Sequence, residues 1–564
     1  MKYTIYIFVA IFFAIGCTKL DREISTDLYE DQVVKSYDFM LNRLSAIYTD
    51  IPSGYLDIGG AMGASASDEA EHTLETAVIQ NYNNGSWNAI SNPENIWTAT
   101  YRGIRKVNQF LIATDSVDLS RYKLDPTPSA QAVYTTRSAD VKRWRYEARF
   151  LRAYFYFELV KRYGGVPLMN KVANLNDDFS SIKRNSLEEC INFIANECDS
   201  AAANLPLKYP VVDLGRVTKG TALALKSRML LYAASDLFND ASWAGSYAQP
   251  DLITLKGNRA DRWKAAAAAA RVVATITGAG YALHNNFPSM FITNSYTTPE
   301  VIFARREGSS NTFEKANFPV GYDLGQSGTT PSQNIVDLFE MADDGSKFDW
   351  NNPIHAANPY DNRDPRLAFS ILTNNTMFKN RKVECFAGGK DGAGRINASR
   401  TGYYLKKHIN ENLDLLQNTT SAKSWNIIRF AEMYLNYAEA MNEFNPADPD
   451  IVKYLNFVRT RAGVKMPPIA SGLSQTEMRE RIRNERTVEF AFEDHRRWDV
   501  KRWLQGPKIL GAPLRGVEVI KSGAGFIYQP IKVEDRVFEP KMYLFPIPQG
   551  ELNVARGLVQ NPLW

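Results

Sequence analysis

The sequence predicts a mainly α-helical protein that carries a large, irregular, loop-rich insertion with short strands. Long segments without Pro or Gly have apolar residues at helical spacing; in 141–163, Trp144, Ala148, Leu151, Phe155 and Leu159 fall on one face. Between 278 and 424 the composition shifts to Gly, Asn, Thr, Ser and Pro with scattered aromatic residues. A structureless loop of that length is uncommon in a compact domain, so we expect an irregular subdomain built onto the helices.

The helices are predicted from apolar periodicity and from their end signals. They occupy 31–48, 94–112, 141–163, 186–205, 217–238, 263–276, 425–444 and 451–462. Ser186 and Glu189 form a capping box at the start of one helix. Consecutive helices pair as hairpins in a TPR-like arrangement, and Ala431, Leu435 and Ala438 have the spacing of a TPR second helix. The strict sequence period of such repeats is absent, so an irregular helical domain stays open as the alternative.

A dense run of mixed charges at 479–503 is predicted to be one helix that is covered on two sides. Val488 and Trp498 fall on one apolar face, and Phe490 falls on the opposite face. Glu489 and Glu493 would then be partly buried among the neighbouring arginines, and buried charges must pair. We therefore expect a structural ion-pair spine; a catalytic pair of carboxylates is the alternative.

The first 17 residues are typical of a targeting segment. The apolar run at 3–15 is too short to span a membrane, and Lys2 precedes it. Ala14-Ile15-Gly16-Cys17 resembles a lipobox, which predicts a lipoprotein signal peptide at 1–17 and acylation of Cys17. An ordinary signal peptide that is cut elsewhere is the alternative. The polar, acidic stretch at 18–30 is suitable as a tether.

Composition and motifs exclude several classes of function. The chain has 66 basic and 62 acidic residues without clusters, which argues against a nucleic-acid-binding surface. Cys190 and Cys198 lie more than about 10 Å apart along a predicted helix, too far for a disulfide, and the five histidines lack metal-site spacing. No phosphate loop, nucleophile elbow or dinucleotide fingerprint occurs. We therefore expect no metal site and no cofactor; bound calcium stays open, although no motif supports it.

The charged stretch at 479–503 also resembles the C-terminal signature of the SusD-like (RagB/SusD) family, the surface glycan-binding lipoproteins of Bacteroidetes-type bacteria. The residues that fall on this pattern are Glu489, Phe490, Glu493, Arg496, Asp499, Arg502 and Trp503. Two positions depart from it, since Asp494 stands where Gly is usual and Arg497 where an aromatic residue is usual. Further matches follow in order: YGGVPL at 163–168, RVTKG at 216–220, NRDPR at 362–366, RFAE at 429–432, VRTRAG at 458–463, FPIPQ at 545–549 and QNPLW at 560–564.

The resemblance implies an architecture and a function. It favours TPR-type hairpins, with an N-terminal helical region at 31–277, the glycan-binding insertion at 278–424 and a C-terminal region at 425–564 that consists of helices and a packed tail. It implies a non-catalytic protein that is lipid-anchored in the outer membrane and faces the cell exterior. In this family, acidic tethers accompany display of the protein on the cell surface. Such a protein captures oligosaccharide or polysaccharide and delivers it to a SusC-like TonB-dependent transporter. The rival readings are a secreted polysaccharide-degrading enzyme and a TPR-type protein-binding scaffold.

Aromatic residues in polar loops are the candidates for glycan contact. A flat ring covers the apolar C–H face of a sugar, and Asn, Asp or Arg bind its hydroxyl groups. We expect a loop-built open face made by 68–87 and 281–350. The predicted ligand residues are Trp87, Tyr82, Tyr296 and Trp350, with Asp68 and Asn84 as hydroxyl partners. Signature residues Glu489, Glu493, Arg496, Asp499, Arg502 and Trp503 are expected to support folding.

Overall fold

The structure is a computed structural model that describes residues 35–172, 177–292 and 295–564. The predicted signal peptide at 1–17, the acylation of Cys17 and the tether at 18–30 lie outside the described residues and remain predictions.

The helices confirm the mainly α-helical fold class. In chain order they are α1 Tyr37–Tyr48, α2 Gln80–Asn84, α3 Trp97–Ala113, α4 Ser120–Leu124, α5 Pro128–Tyr163, α6 Leu187–Asn204, α7 Lys219–Ala234, α8 Arg259–Ala274, α9 Thr312–Asn317, α10 Gln333–Val336, α11 Pro353–Ala357, α12 Pro365–Ser370, α13 Phe430–Phe444, α14 Asp450–Thr460, α15 Gln475–Glu489, α16 Arg496–Arg502, α17 Gly506–Ile509 and α18 Gln549–Val554.

Local sequence explains where several of these helices begin and end. The capping box predicted for α6 is present, because the Ser186 hydroxyl accepts from Glu189 N and the Glu189 carboxylate accepts from Ser186 N. Helix α5 ends at Gly164, which has a φ of +74°, a backbone conformation that favours glycine. Helix α5 begins at Pro128, well before the predicted start at 141, because its first turns are mostly solvent-facing and lack the apolar periodicity that the prediction used.

The long helices pack in sequence order into one scaffold. Helix α3 packs on α5, α5 on α6, α6 on α7 and α7 on α8, after which α8 packs on α13 and α13 on α14 and α15. The alanine run of α8 allows close packing of α8 on α13, since Ala266, Ala267 and Ala270 are buried against Tyr437 and Ala440 of α13. Buried apolar side chains from Met40 to Leu558 share the largest core cluster, so the C-terminal segment packs onto the same scaffold as α1.

The segment between α8 and α13 carries seven of the ten strands found in the described residues, as predicted, and the first and the last two strands lie outside it. The strands are β1 Ala70–His72, β2 Val301–Ser310, β3 Thr329–Pro331, β4 Ile371–Leu372, β5 Met377–Phe378, β6 Arg381–Lys382, β7 Tyr404–Leu405, β8 Ser421–Arg429, β9 Leu514–Ser522 and β10 Gly525–Glu534. They form antiparallel pairs: β1 with β3, β2 with β8, β4 with β7, β5 with β6, and β9 with β10. The β2–β8 pair brings the two ends of the segment together beside the helical scaffold.

Two helix predictions need correction. The helix expected at 425–444 begins only at Phe430, because Trp425 and Ile428 belong to β8, where they pair with β2. The single helix expected at 479–503 is interrupted, with α15 ending at Glu489 and α16 starting at Arg496. Between them Asp494 has a φ of +60°. Aspartate tolerates this left-handed conformation better than most residues, which explains why Asp can stand where Gly is usual.

Candidate functional site

A cleft with aromatic and polar walls has a volume of about 550 Å³ and is named here the aromatic cleft. Residues 357–376, around α11 and α12, form one wall, and residues 524–528 at the tip of the β9–β10 hairpin form the other. Pockets of a few hundred Å³ with apolar walls and a few polar groups are typical of small-ligand sites. The cleft therefore joins the predicted insertion to a part of the chain that was expected only to pack as a tail.

The β9–β10 hairpin positions two rings at this cleft. Ser522 pairs with Gly525, and the turn between them starts at Gly523, whose φ of +56° suits a two-residue hairpin turn. Alternate strand residues share a face, so Phe526 and Tyr528 point to the same side of β10. Both are half-buried, and Tyr528 meets Tyr360 edge-to-face, with ring centroids 5.2 Å apart.

Polar groups of the opposite wall lie beside these rings. Asn374 is 4% exposed, and its Oδ1 accepts the backbone N–H of Cys385 at 3.0 Å. That bond fixes the amide. Asn374 Nδ2 makes no hydrogen bond of normal geometry among the described residues, although the side chain lies close enough to Tyr528 to oppose the rise in its pKa that burial causes. A buried donor without a partner is unfavourable unless water or a ligand satisfies it. Asn358, Asp361 and Asn375 are exposed on the same wall and offer further groups to ligand hydroxyls.

The guanidinium group of Arg363 belongs to the structure of this wall and is not free for ligand. It donates to the carbonyl oxygens of Val336, Phe339 and Pro359 and stacks over the Phe348 ring at 4.1 Å. Burial lowers its pKa to about 10. Arg363 thus ties the loop before α12 to the segment after α10.

Trp87, the first choice from the sequence, is not on an open face. It is 3% exposed and packs on Tyr82 (4.9 Å between ring centroids), Phe545 (5.2 Å) and Trp564 (4.7 Å). The expectation of a surface ring at this position is therefore wrong. The polar loop around Trp87 is covered by the C-terminal segment, which is far away in sequence.

The other predicted residues of the 68–87 segment have structural partners. Tyr82 is half-buried and donates to Asn92 Oδ1 at 2.6 Å. Asp68 is buried, and both of its carboxylate oxygens accept from Arg496 at 2.9 Å, so it is not a free hydroxyl partner. Asn84 is exposed, and its Oδ1 accepts from Ser86 N in the turn. Of the predicted ligand residues, the structure packs only Tyr82 and Trp87 ring against ring.

Trp350 and Tyr296 lie elsewhere. Trp350 is half-buried, packs edge-to-face on Phe348 and donates from Nε1 to Asp337 Oδ1 at 3.1 Å. Tyr296 is half-buried beneath the guanidinium group of Arg306, 4.2 Å from the ring centroid, and lines a different groove. Neither ring lines the aromatic cleft, so the structure divides the predicted residues among separate places.

The predicted ion-pair spine is present, but its cations are not the neighbouring arginines of the same stretch. The spine comprises Glu485, Glu489 and Glu493 with Arg366, Arg429, Arg461 and Lys407, which come from other segments of the chain. Glu489 is fully buried and contacts Arg461 at 2.7 Å, Arg429 at 3.0 Å and Arg366 at 3.0 Å. Burial raises the pKa of Glu489, but these three guanidinium groups outweigh it and hold the pKa well below its usual range.

Glu493 belongs to the same network although it follows the helix break. It contacts Lys407 Nζ and Arg429 Nε, each at 2.7 Å. A general acid or base needs a proton to exchange and a free lone pair facing substrate. The carboxylates of Glu489 and Glu493 are instead occupied by buried cations. Their geometry supports the structural reading over a catalytic pair.

The remaining signature residues extend this network into the scaffold. Asp499 accepts from Arg486 Nε at 2.7 Å and from Arg502 Nε at 2.8 Å. Arg502 Nη2 and Trp503 Nε1 both donate to Glu439 of α13, each at 2.7 Å. Burial raises the pKa of Glu439, but Arg502 outweighs it and lowers the pKa to about 2. These contacts join α16 to α13.

A second, smaller crevice of about 200 Å³ lies beside the spine. Its lining charges already neutralise one another: Glu158 pairs with Arg162 at 2.6 Å and with Lys161 at 2.8 Å, and Glu94 pairs with Arg497. A ligand there would have to break buried ion pairs. The aromatic cleft is therefore the better candidate site.

Sequence reasoning missed the two hairpin rings. Tyr360 lies in the predicted insertion but was not among the selected ligand residues, and Phe526 and Tyr528 fall in the predicted packed tail. Alternation of rings after the Gly523-Ala524 turn is the signal that could have found them. It predicts a hairpin with two aromatic side chains on one face.

Two family models match the chain and together cover most of it. The model described as "SusD family" matches residues 299–564, and the one described as "Starch-binding associating with outer membrane" matches residues 40–231. The chain belongs to the SusD-like family. This confirms the family expected from the C-terminal signature and the ordered motifs.

Known SusD-like proteins resemble the chain at modest identity. SusD-like protein P25 of Formosa agariphila is 25% identical over 385 residues, which cover 63% of this chain and 63% of P25. A SusD-like protein from Bacteroides fragilis NCTC 9343 has 26% identity and a TM-score of 0.78, covering 95% of this chain and 99% of its own. A SusD-like carbohydrate-binding protein from the same strain has 24% identity and a TM-score of 0.75, covering 93% and 100%.

Two further properties bear on this SusD-like chain. Within the described ranges, every helix is too short or too polar to cross a bilayer. The same ranges contain no group of three or more His, Cys, Asp or Glu side chains arranged to hold a metal ion.

Proposed function

We propose that this protein binds a glycan in the aromatic cleft without catalysing its cleavage. The single observation that carries the proposal is the pairing of Phe526 and Tyr528 with the fixed, unpartnered amide of Asn374. The rings offer apolar surface for sugar C–H faces, and the amide offers a donor to a hydroxyl oxygen. Membership of the SusD-like family supports the same ligand class.

The shape of the cleft is better suited to contact a short part of a long glycan than to enclose a whole ligand. Its walls come from a hairpin tip and from loops, and Asn358, Asp361 and Asn375 are exposed at its rim. An open site buries only part of its ligand, so we expect weak to moderate affinity per glycan. A polysaccharide could therefore extend out of the cleft at both ends of the sugars that are bound.

The first experiment is a screen of the purified protein against immobilised neutral glycans, followed by calorimetry with the glycan found. Tyr528→Ala should weaken binding about tenfold or more, since it removes the apolar area that the ring buries together with about 0.5–1.5 kcal/mol from ring stacking. Tyr134→Ala, at a half-buried tyrosine of helix α5, is the matched control and should bind like the natural protein.

The enzyme alternative is tested on the same glycan. Incubation with the protein should release no new reducing ends. New reducing ends would favour the degrading enzyme, and binding that Tyr528→Ala leaves unchanged would remove the aromatic cleft as the site.

The cellular role is proposed from family membership and from the sequence. The protein would be acylated at Cys17, lie on the outer surface of the outer membrane and hand glycan to a SusC-like TonB-dependent transporter. Cys17→Ser should move the protein from membranes to the soluble fraction. Co-purification of the transporter with the acylated protein tests the partnership, and its absence from mildly solubilised membranes would contradict it.

A further inference from the structure

A second groove lies apart from the aromatic cleft and shares no lining residue with it; we name it the cationic groove. Its larger part has a volume of about 320 Å³ between the connection that precedes α7 and the residues leading into β2. A smaller part of about 240 Å³ continues toward the end of α1. The two parts meet at Leu214, Gly215, Arg216 and Ala304, which line both.

Tyrosine rings line the larger part. Tyr281 is held by a hydrogen bond between its hydroxyl and Thr218 Oγ1 at 3.1 Å, and the Tyr209 hydroxyl donates to Glu147 at 3.2 Å. Tyr296 is half-buried beside them. Three rings fixed in one groove provide the apolar surface that a sugar face needs.

The charge of the groove is positive. Its lining, taken over the described residues, contains Lys208, Arg216, Arg305 and Arg306 but no Asp or Glu. Arg216 is neutralised by buried Glu147 at 2.9 Å, and Arg305 faces Glu307 at 3.3 Å. Lys208 and Arg306 have no carboxylate within 4.0 Å in the part of the chain that the structure describes.

Arg306 is held in place before any ligand arrives. Its Nη1 donates to the carbonyl oxygen of Leu214 at 3.0 Å, and its guanidinium group lies 4.2 Å from the centre of the Tyr296 ring. Gly215 permits this approach, because a Cβ there would lie 2.9 Å from Arg306 Cδ and the φ of +96° already favours glycine. A guanidinium that is fixed at one end presents its remaining N–H groups at little entropic cost.

We propose that the cationic groove binds an anionic saccharide, one that carries carboxylate or sulfate groups. The tyrosines would cover a sugar ring, and Arg306 and Lys208 would neutralise its anionic groups. Binding of a neutral glycan in the aromatic cleft and binding of an anionic saccharide in the cationic groove are independent of each other. This inference therefore goes beyond the proposed function and does not depend on it.

Three probes with one backbone test the proposal: dextran sulfate, carboxymethyl dextran and unmodified dextran of matched length. We expect saturable binding of at least one charged form at one site per protein, weakened by salt, and no binding of dextran. The sulfated and carboxymethylated arms distinguish the two kinds of anionic group.

The variant Lys208→Gln with Arg306→Gln should weaken that binding about tenfold or more, because two charge-assisted contacts are removed. The control combines Lys465→Gln with Arg395→Gln, two exposed cations outside the groove, and removes the same net charge. Arg306→Lys keeps the charge but loses the planar group over Tyr296, so it should bind at an intermediate level.

Three outcomes would overturn the proposal. The first is that the Lys208/Arg306 double variant and the Lys465/Arg395 control weaken binding equally. The second is that the protein binds charged dextrans and unmodified dextran with equal affinity. The third is that the groove binds a polyglutamate peptide in preference to the charged dextrans. Melting temperatures of all variants accompany the titrations, and Arg306→Lys gives a reading if the double variant fails to fold. Tyr528→Ala should leave binding of the charged dextrans unchanged, which separates this test from that of the aromatic cleft.

Discussion

The ion-pair spine and the aromatic cleft use similar side chains in opposite ways. In the spine, Glu489 is fully buried and its carboxylate is shared by three arginines. In the cleft, Phe526 and Tyr528 stay half-exposed, and the buried amide nitrogen of Asn374 lacks a partner. Saturated polar contacts indicate a structural role, whereas exposed rings beside an unsatisfied donor indicate a surface that a ligand can complete.

This contrast explains why the signature residues are structural. A buried charge without its partner is strongly unfavourable, so the sequence constraint at Glu489, Glu493 and Arg429 follows from folding alone. The half-exposed rings of Phe526 and Tyr528 at the cleft are under no such constraint. Substitutions in the two regions should therefore separate stability from binding.

The largest effect is expected at the centre of the spine. Glu489→Ala leaves Arg366, Arg429 and Arg461 short of a carboxylate and should destabilise the fold by about 3–5 kcal/mol. Thermal unfolding measures this loss. Glu480→Ala, an exposed position on the same helix, should change stability by no more than about 0.5 kcal/mol. Equal melting of the two variants would break the comparison.

A similar loss is expected at Trp87, where the sequence predicted a ligand contact. Trp87→Ala opens a cavity among Tyr82, Phe545 and Trp564 and should cost about 3–5 kcal/mol of stability. Ile90→Ala in the same loop is the control, because Ile90 is 86% exposed. A Trp87→Ala protein that melts like the natural one would show that the ring is not core.

A smaller effect, specific to acid, is expected at Glu439. Its pKa is about 2 in the folded protein against an ordinary value of 4.5, because Arg502 outweighs the effect of burial. A lowered pKa means that the contribution to stability is present above about pH 4.5 and is lost as the pH falls toward 2; it amounts to roughly 3 kcal/mol.

Glu439→Gln removes this titrating group. The free energy of unfolding of the variant should therefore fall less steeply between about pH 4.5 and 2 than that of the natural protein. The variant is less stable at neutral pH, so the comparison is of slopes and not of absolute values. Parallel slopes would contradict the assignment.

The sequence predicted the helical scaffold well, because helices depend on local spacing, and it predicted the burial and pairing of the spine carboxylates but not their distant partners. Apolar residues at helical intervals in 141–163 identify α5, and charge density around Glu489 identifies a buried network. The break before α16 was missed, since Phe492 and Asp494 adopt positive φ without a Gly or Pro to signal the turn. Aspartate tolerates this conformation, but Phe492 is held in it by tertiary packing, since its side chain is fully buried.

The site was predicted less well, for a different physical reason. Trp87 lies in a loop of polar composition, but Phe545 and Trp564 from the end of the chain cover it. The aromatic cleft joins Tyr360 to Phe526 and Tyr528, and a contact between such distant segments has no local signature. The predicted insertion does supply one wall of the cleft; the hairpin that supplies the other was not anticipated.

Binding is assigned to the aromatic cleft, and stability is assigned to the buried rings around Trp87. The most direct test is calorimetry and thermal unfolding of Phe526→Ala and Trp87→Ala, side by side, with the glycan from the neutral screen. We expect Phe526→Ala to bind at least about tenfold more weakly with stability lowered by no more than about 1 kcal/mol. Trp87→Ala should melt far earlier and, below its melting temperature, bind with natural affinity. Full binding by Phe526→Ala together with lost binding by folded Trp87→Ala would contradict the assignment of glycan binding to the aromatic cleft.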